Sequence, residues 1–145
     1  IDHLKLKMLN PFHLAFPVYD IKKTKDWYIE ILGCEIGRES KRWVDFNFFG
    51  HQISAHLTDV KDKKLSTNNV DQKNIPIRHF GIILDWNDWE KLSKKLTQKK
   101  LDFIVEPYIR FKGKSGEQAT LFIKDPSNNV LEFKSFKNFD NIFAK

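Results

Sequence analysis

Two stretches of the chain repeat one order of apolar and polar positions. Residues 12–20 read FHLAFPVYD and residues 78–85 read RHFGIILD, so each is an apolar run that ends in an aspartate. A histidine stands near the start of each run, His13 in the first and His79 in the second. Such self-similarity indicates an internal structural repeat. We therefore predict that the two runs are the first strands of two similar units.

Each predicted strand leads into a segment with helical periodicity. The first helix is predicted over residues 21–32, with Asp20 as its N-cap. The second is predicted over residues 88–99, with Asn87 as its N-cap and Glu90 three residues later, as in a capping box. Apolar side chains recur along one face of both segments, which predicts helices that pack against a sheet.

Three short strands are predicted after each helix, which gives two βαβββ units. Because side chains alternate across a strand, six of the predicted strands have one plainly apolar face. The predicted fold class is α+β, with a mixed sheet that curls around a cavity and helices on its outer face. The strands after the helices are predicted at residues 34–38, 42–49 and 52–58 in the first unit, and at 103–106, 117–124 and 129–136 in the second.

The same pattern divides the chain of 145 residues into segments. The two units are predicted over residues 10–58 and 77–137. Residues 59–76 are polar and rich in Lys, Asp and Asn, which predicts a linker. Residues 1–9 are expected to be an N-terminal extension and residues 138–145 a C-terminal tail.

Composition excludes some classes of partner. The net charge of +6 is spread over predicted helix faces with acidic residues among the lysines, which favours a solvated basic surface over nucleic-acid binding. The sequence has no run of about eighteen apolar residues and no visible secretory signal, so no membrane partner is expected. The single cysteine, Cys34, excludes an internal disulfide and fits a reducing compartment. We expect a cytoplasmic protein.

The polar face of the predicted sheet carries candidate metal-ligating and substrate-binding residues. His13, His79 and Glu132 fall on this face, and the small residues Ala15 and Gly81 leave room beside the histidines. A solvated sheet face is the alternative, but such faces usually carry Lys, Glu and Thr. An inward carboxylate is costly unless it is paired or bound to a metal. The same face offers candidates for a substrate pocket, namely Trp43, Asn47, Ser54, Gln118, Thr120 and Phe122.

The segment DPSNNVLEF, residues 125–133, resembles the DPxGNxxE signature of the vicinal oxygen chelate superfamily. That superfamily includes glyoxalase I, fosfomycin and bleomycin resistance proteins, and extradiol dioxygenases. Asn128 replaces the usual glycine and tolerates the same left-handed turn. The resemblance extends over residues 11–136, and within the superfamily the chain looks closest to a group of predicted extradiol-type dioxygenases.

The resemblance implies a metal site. The superfamily places ligands on the first strand of each unit and on the last strand of the second, where this chain has His13, His79 and Glu132. Two histidines and one carboxylate suit non-haem Fe(II), which we favour, although Mn(II), Zn(II) and Ni(II) fit as well. The expected substrate is a small molecule with vicinal oxygens. We also expect a homodimer, because exposed strand edges are usually covered.

One departure leaves the reaction open. Ring-cleaving members of the superfamily carry a tyrosine ten residues before the ligand glutamate, and here that position is Phe122. His56 and Tyr108 are candidates for the missing acid–base role, and Arg110 is a candidate for holding an anionic substrate. Whether the chain is an enzyme stays open. The alternatives are a ring-cleaving dioxygenase, a glyoxalase-like lyase or isomerase, and a non-catalytic binding protein of the resistance type.

Overall fold

The computed structural model describes residues 10–59 and 66–145. The expected N-terminal extension and residues 60–65 of the predicted linker lie outside this part of the chain. The chain divides into two units between Thr58 and Asp59. Neither helix of the described part is long and apolar enough to cross a membrane.

The first unit has the predicted βαβββ order. Its four strands form one sheet in the order β1-β4-β3-β2, in which β1 runs parallel to β4 and the other neighbours are antiparallel. The elements are β1 (His13–Val18), α1 (Ile21–Glu30), β2 (Glu35–Glu39), β3 (Trp43–Phe48) and β4 (His51–Leu57).

The second unit repeats this topology, which confirms the internal repeat. Its sheet has the order β7-β10-β9-β8, and β7 is again parallel to β10. A two-stranded hairpin precedes it, and a short 3-10 helix (Phe139–Asn141) follows it. The elements are β5 (Thr67–Val70), β6 (Lys73–Pro76), β7 (Phe80–Ile83), α2 (Trp86–Gln98), β8 (Phe103–Arg110), β9 (Gln118–Lys124) and β10 (Val130–Phe136).

The hairpin of β5 and β6 lies where the sequence predicted a linker. Its two-residue turn consists of Asp71 and Gln72, whose φ angles of 50° and 63° are both left-handed. This is the pattern of a type I′ turn, which matches the twist of a hairpin. Every residue of β5 is exposed, so its sequence shows no alternation of apolar and polar positions. The sequence pattern therefore predicted a linker here and no strands.

Helix α1 packs on the apolar face of the first sheet. The carboxylate of Asp20 accepts a hydrogen bond from the Lys23 amide at 2.8 Å, which confirms the predicted N-cap. The ring of Tyr28 is fully buried and stacks on Phe46 with ring centroids 4.8 Å apart. The helix is thereby fixed on the sheet face opposite to that of His13.

Helix α2 begins earlier than predicted. Its N-cap is Asp85 and not Asn87, because the carboxylate of Asp85 at the end of the strand run accepts from the Asp88 amide at 2.8 Å. The buried Trp89 donates its indole N–H to the carbonyl oxygen of Phe133 at 2.8 Å. This bond ties the helix to the apolar face of the second sheet.

Burial along β3 follows the predicted alternation, whereas other strands depart from it and β9 departs most. Strand β9 is buried on both faces, since Thr120 and Phe122 are each only 4% exposed. The second buried face results from a cluster that Phe122 forms with Val105, Val130 and the hairpin residue Ile75. The described part of the second unit therefore has an apolar patch on the face where the sequence predicted mainly polar side chains.

Candidate functional site

His79 and Glu132 form a close pair in the second unit. His79 directly precedes β7, and Glu132 lies on β10, the strand that pairs with β7. The Nε2 atom of His79 is 3.3 Å from Oε1 of Glu132, and the two side chains are only 27% and 15% exposed. An imidazole nitrogen and a carboxylate oxygen therefore face each other in a largely buried setting.

Further hydrogen bonds orient both members of the pair. The Nδ1 atom of His79 is 2.8 Å from the carbonyl oxygen of Pro76. Because a carbonyl only accepts, Nδ1 carries a proton and Nε2 is the nitrogen presented to Glu132. The hydroxyl of Thr120 donates to the other oxygen of Glu132 at 2.5 Å. Metal-binding histidines and carboxylates in proteins are usually held in this way.

The pKa values of His79 and Glu132 are shifted by their contact with each other. The hydrogen bond to Glu132 raises the pKa of His79 despite the opposing effect of burial. Burial alone would raise the pKa of Glu132, but the hydrogen bonds from His79 and Thr120, with the charge of Lys134, lower it on balance. The carboxylate is thus held ionised beside the ring, as a cation site requires.

Gly81 allows the backbones of β7 and β10 to meet beside the pair. A Cβ atom added to Gly81 would lie 1.5 Å from the carbonyl oxygen of Glu132. The sequence predicted that this glycine leaves open room beside His79. That prediction was wrong, because the backbone of β10 occupies the space where a side chain would start.

A turn held by the side chain of Asp125 precedes β10. The carboxylate of Asp125 accepts from the amides of Ser127 and Asn129 at 2.8 and 2.9 Å. Asn128 between them has a φ of 64°, which confirms that asparagine adopts the left-handed conformation there. The turn therefore fixes where β10 begins, at Val130, two residues before Glu132.

A pocket of about 230 Å³ opens at the pair. Residues of β7 form one side of it, and Lys134 contributes a further charge. It is smaller than the pockets that usually hold drug-sized ligands. The lining consists of His79, Phe80, Gly81, Ile82, Ile83, Glu132 and Lys134.

Phe122 lies against the histidine. Strand register places Phe122 directly across from Glu132, on the face that parity predicts. Its ring meets that of His79 edge to face, with centroids 5.0 Å apart and an interplanar angle of 78°. The position therefore supplies an apolar contact to the imidazole and no hydroxyl group.

Tyr108 and Arg110 on β8 both bind the tip of the hairpin. The hydroxyl of Tyr108 donates to Asp71 at 2.9 Å, and the guanidinium of Arg110 lies 2.5 Å from the same carboxylate. Burial, and then the hydrogen bond to Asp71, raise the pKa of Tyr108 to about 12. Arg110 also approaches the side-chain oxygen of Gln118 at 3.4 Å. The positive charge of Arg110 is therefore matched by Asp71.

In the first unit, His13 is oriented by a chain of side chains that sequence analysis did not select. Its Nδ1 atom is 2.8 Å from the amide oxygen of Gln52, and the amide nitrogen of Gln52 lies 3.4 Å from Asp45. Ser54 donates to the other oxygen of Asp45 at 2.5 Å. Because Asp45 takes the amide nitrogen, the oxygen of Gln52 faces His13 and leaves its Nε2 as the unprotonated nitrogen.

The repeat shows why the two units contribute unequally. Ser54 pairs with Ala15 across the first sheet in the register that pairs Glu132 with Gly81 in the second. Ser54 thus occupies the repeat position of Glu132. The first unit offers one candidate ligand, His13, whereas the second offers two.

The remaining candidates lie on the same face of the first sheet. Trp43 pairs with His56 across β3 and β4, and His56 is exposed. Asn47 accepts from the Gly50 amide at 2.8 Å and so holds the turn between these strands. In neither unit do the described residues bring three His, Cys, Asp or Glu side chains together as a metal site.

Two βαβββ units with histidines at equivalent positions define the vicinal oxygen chelate class of protein. The chain matches the model of the Glyoxalase/Bleomycin resistance protein/Dioxygenase superfamily over residues 10–133. It belongs to that superfamily, which confirms the resemblance inferred from the sequence at this level. The finer assignment to extradiol-type dioxygenases receives no specific support from these comparisons.

Solved structures of the superfamily share the fold. A glyoxalase/bleomycin resistance protein/dioxygenase from Alicyclobacillus acidocaldarius is 33% identical, with a TM-score of 0.78 over 92% of this chain and 96% of that one. The fosfomycin resistance protein FosX from Listeria monocytogenes is 15% identical, with a TM-score of 0.67 over 93% and 98%. A lactoylglutathione lyase from Agrobacterium tumefaciens is 11% identical, with a TM-score of 0.59 over 88% and 94%. The last two show the fold alone, and no curated protein matches the chain.

Proposed function

We propose that the protein is a metal-dependent enzyme that acts on a small molecule with two vicinal oxygens. The proposed ligands are His13, His79 and Glu132. The observation that carries the proposal is the buried pair of His79 and Glu132, oriented by Pro76 and Thr120 beside a pocket. Such a pair is costly to bury unless a cation or proton lies between its members.

The residues present fit a divalent metal. His13 and His79 each use Nδ1 in an outer hydrogen bond, so each leaves Nε2 for coordination. Glu132 keeps Oε1 for the same purpose, because Thr120 binds Oε2. Two imidazoles and one carboxylate suit Fe(II) best and also accept Mn(II), Zn(II) or Ni(II). A bound ion would act as a Lewis acid and as a template for two substrate oxygens.

The placement of the side chains supports further proposed roles. His56 is exposed on the face that carries His13, so it is the proposed acid–base group at neutral pH. Tyr108, with its pKa of about 12, stays protonated and is the second proposed catalytic residue, and its hydroxyl proton is donated to Asp71 in this structure. The proposed substrate contacts are the polar and aromatic residues named from the sequence: Trp43, Asn47, Ser54, Gln118, Thr120 and Phe122. Arg110 is proposed as a polar contact only, because Asp71 matches its charge.

Metal analysis of protein purified without chelators tests the proposal. We expect about one divalent ion per chain, and a loss of at least about tenfold in metal affinity for His79→Ala and for Glu132→Ala. His51→Ala is the matched control, because His51 binds the backbone amide of Phe12 and lies outside the proposed ligand set. A His79→Ala variant that keeps wild-type metal stoichiometry would contradict the assignment.

Phe122 favours a lyase or isomerase over a ring-cleaving dioxygenase. A hydrogen bond missing from a catalytic site typically costs about 10²–10³ in rate. We therefore expect little or no turnover of simple catechols by the Fe(II)-loaded protein. A metal-swap screen against catechols, 2-oxoaldehyde–thiol adducts and epoxides measures this directly, and robust catechol cleavage would restore the dioxygenase assignment. Ligand binding without any turnover would instead point to a resistance-type binding protein.

A further inference from the structure

The pocket beside His79 and Glu132 contains one more charged side chain. Lys134 follows Glu132 by two residues on β10, so the two side chains share a face of the strand. Lys134 also lines the pocket itself. The ammonium group is therefore placed next to the proposed metal ligands and does not belong to the outer, helix-covered face.

Lys134 forms no salt bridge with another side chain in the part of the chain that the structure describes. Its Nζ atom lies 5.4 Å from the ring centroid of Phe136, a contact that leaves the ammonium hydrogens available. Glu132 is already engaged by His79 and Thr120. The charge of Lys134 acts on Glu132 from a distance, but its ammonium group stays free to contact a ligand in the pocket.

Arg110, the cation that the sequence favoured for an anionic substrate, is in a different situation. Asp71 binds its guanidinium through both carboxylate oxygens, at 2.5 and 3.4 Å. A guanidinium held in this way has little charge left to attract a second anion. Because Asp71 occupies Arg110 on β8, we expect Lys134 on β10 to contact an anionic group instead.

We propose that Lys134 binds an anionic group of the substrate, such as a carboxylate, phosphonate or phosphate. The inference rests on the proposed function, because it takes the metal ligands as the place where the vicinal oxygens bind. The pocket volume of about 230 Å³ limits the substrate to a small molecule, and Ile83, which pairs with Lys134 across β7 and β10, adds an apolar side chain on the same face. The substrate class is a compact organic anion with two adjacent oxygens.

Two matched diols test this inference. Catechol and 3,4-dihydroxybenzoate present the same pair of oxygens, and only the second carries a carboxylate. Isothermal titration of the Zn(II)-loaded protein avoids redox chemistry and measures binding without turnover. We expect the carboxylated diol to bind about tenfold more tightly, which corresponds to about 1.4 kcal/mol.

Variants at Lys134 identify the source of the preference. Lys134→Met should bring the two affinities to within about twofold by weakening only the carboxylated diol, whereas Lys134→Arg should retain the preference. Lys137→Met is the matched control, because Lys137 lies over the Trp86 ring and outside the lining of the pocket. It should leave both affinities unchanged.

Titration with zinc distinguishes failure of the Lys134 inference from failure of the proposed metal site. If the wild-type protein binds zinc but shows no preference, or binds neither diol, the assignment of Lys134 is overturned and the metal site stands. The same conclusion follows if Lys134→Met keeps the preference while zinc remains bound. If the wild-type protein does not bind zinc, the proposed function fails and the inference fails with it.

Discussion

At the scale of single residues, the candidate site depends on how each imidazole is held. Pro76 orients His79, and Gln52 orients His13. The two histidines and Glu132 were predictable because the repeat and strand parity place them at equivalent positions. Gln52 and Asp45 were not selected, because their role depends on contacts between strands that a single strand's pattern does not contain.

Replacing Gln52 should weaken metal binding without removing a ligand. In Gln52→Leu, the Nδ1 atom of His13 loses its acceptor, so the ring is free to rotate and to change tautomer. Loss of an outer-shell partner typically lowers metal affinity about 10- to 100-fold, and we expect an effect in that range. Nitrogen-15 NMR of the imidazole should show a mixture of tautomers. Gln98→Leu, an exposed change at the end of α2, should alter neither quantity. Unchanged affinity and tautomer in Gln52→Leu would refute the role of Gln52.

Gly81 is required by the approach of two backbones. In Gly81→Ala the new methyl group would overlap the carbonyl oxygen of Glu132, so β7 and β10 must separate. We expect a loss of at least about 2 kcal/mol in the free energy of unfolding, measured with urea. Gly37→Ala is the control, because its Cβ would lie 3.4 Å from that of Asp45, at the edge of ordinary contact. Equal stability of the two variants would show that the strand approach is not as close as described.

At the scale of elements, the hairpin of β5 and β6 joins the site to β8. Ile75 packs with Phe122, and Pro76 accepts from His79. Asp71 at the turn binds Tyr108 and Arg110. The sheets and helices followed from apolar periodicity, but this hairpin did not, because β5 is exposed throughout and the contacts of Asp71 help to hold the hairpin in addition to Ile75.

The attachment of the hairpin should depend on acid pH. The hydrogen bonds from Arg110, and then Tyr108, lower the pKa of Asp71 below its ordinary value of 3.8. A lowered carboxyl pKa means that the stabilisation is complete above the ordinary value and is lost as the pH falls through the folded one. Hydrogen-exchange protection of residues 67–76 should therefore be constant from about pH 7 to 5 and fall below about pH 4.

Two variants make the pH experiment specific. Asp71→Ala should lower the protection of the hairpin several-fold at pH 7 and remove its acid dependence. Gln72→Gly keeps the left-handed turn and the Asp71 contacts, so it should behave as the wild type. Acid dependence that persists in Asp71→Ala would assign the transition to another carboxylate.

At the scale of the whole molecule, the repeat predicted the βαβββ order of elements in both units, but not the strand order within each sheet. Most observed strand limits lie within one or two residues of the predicted ones, although β8 extends to Arg110 where the sequence predicted residue 106. The added residues of β8 include Tyr108 and Arg110, whose pairing with Asp71 lies outside the hydrophobic pattern. Apolar periodicity thus predicted where the strands of each sheet lie along the sequence. It did not predict the additional length of β8, where Tyr108 and Arg110 make polar contacts with Asp71.

Assembly is the prediction that belongs to this scale. Each four-stranded sheet has two edge strands, β1 and β2 in the first unit and β7 and β8 in the second. Strand edges are usually covered, so we expect a homodimer in solution. Light scattering coupled to gel filtration at micromolar concentration should give about twice the 17.2 kDa mass of the chain. A mass of one chain at all concentrations would refute the dimer.

The central claim is that histidines from both units bind the same metal ion. Pulsed electron paramagnetic resonance of the Cu(II)-loaded protein counts coordinated imidazoles through the remote nitrogen of each ring. We predict two imidazoles in the wild type and one in each of His13→Ala and His79→Ala, with two retained in the control His51→Ala. A wild-type spectrum with one imidazole that His13→Ala leaves unchanged would contradict the claim.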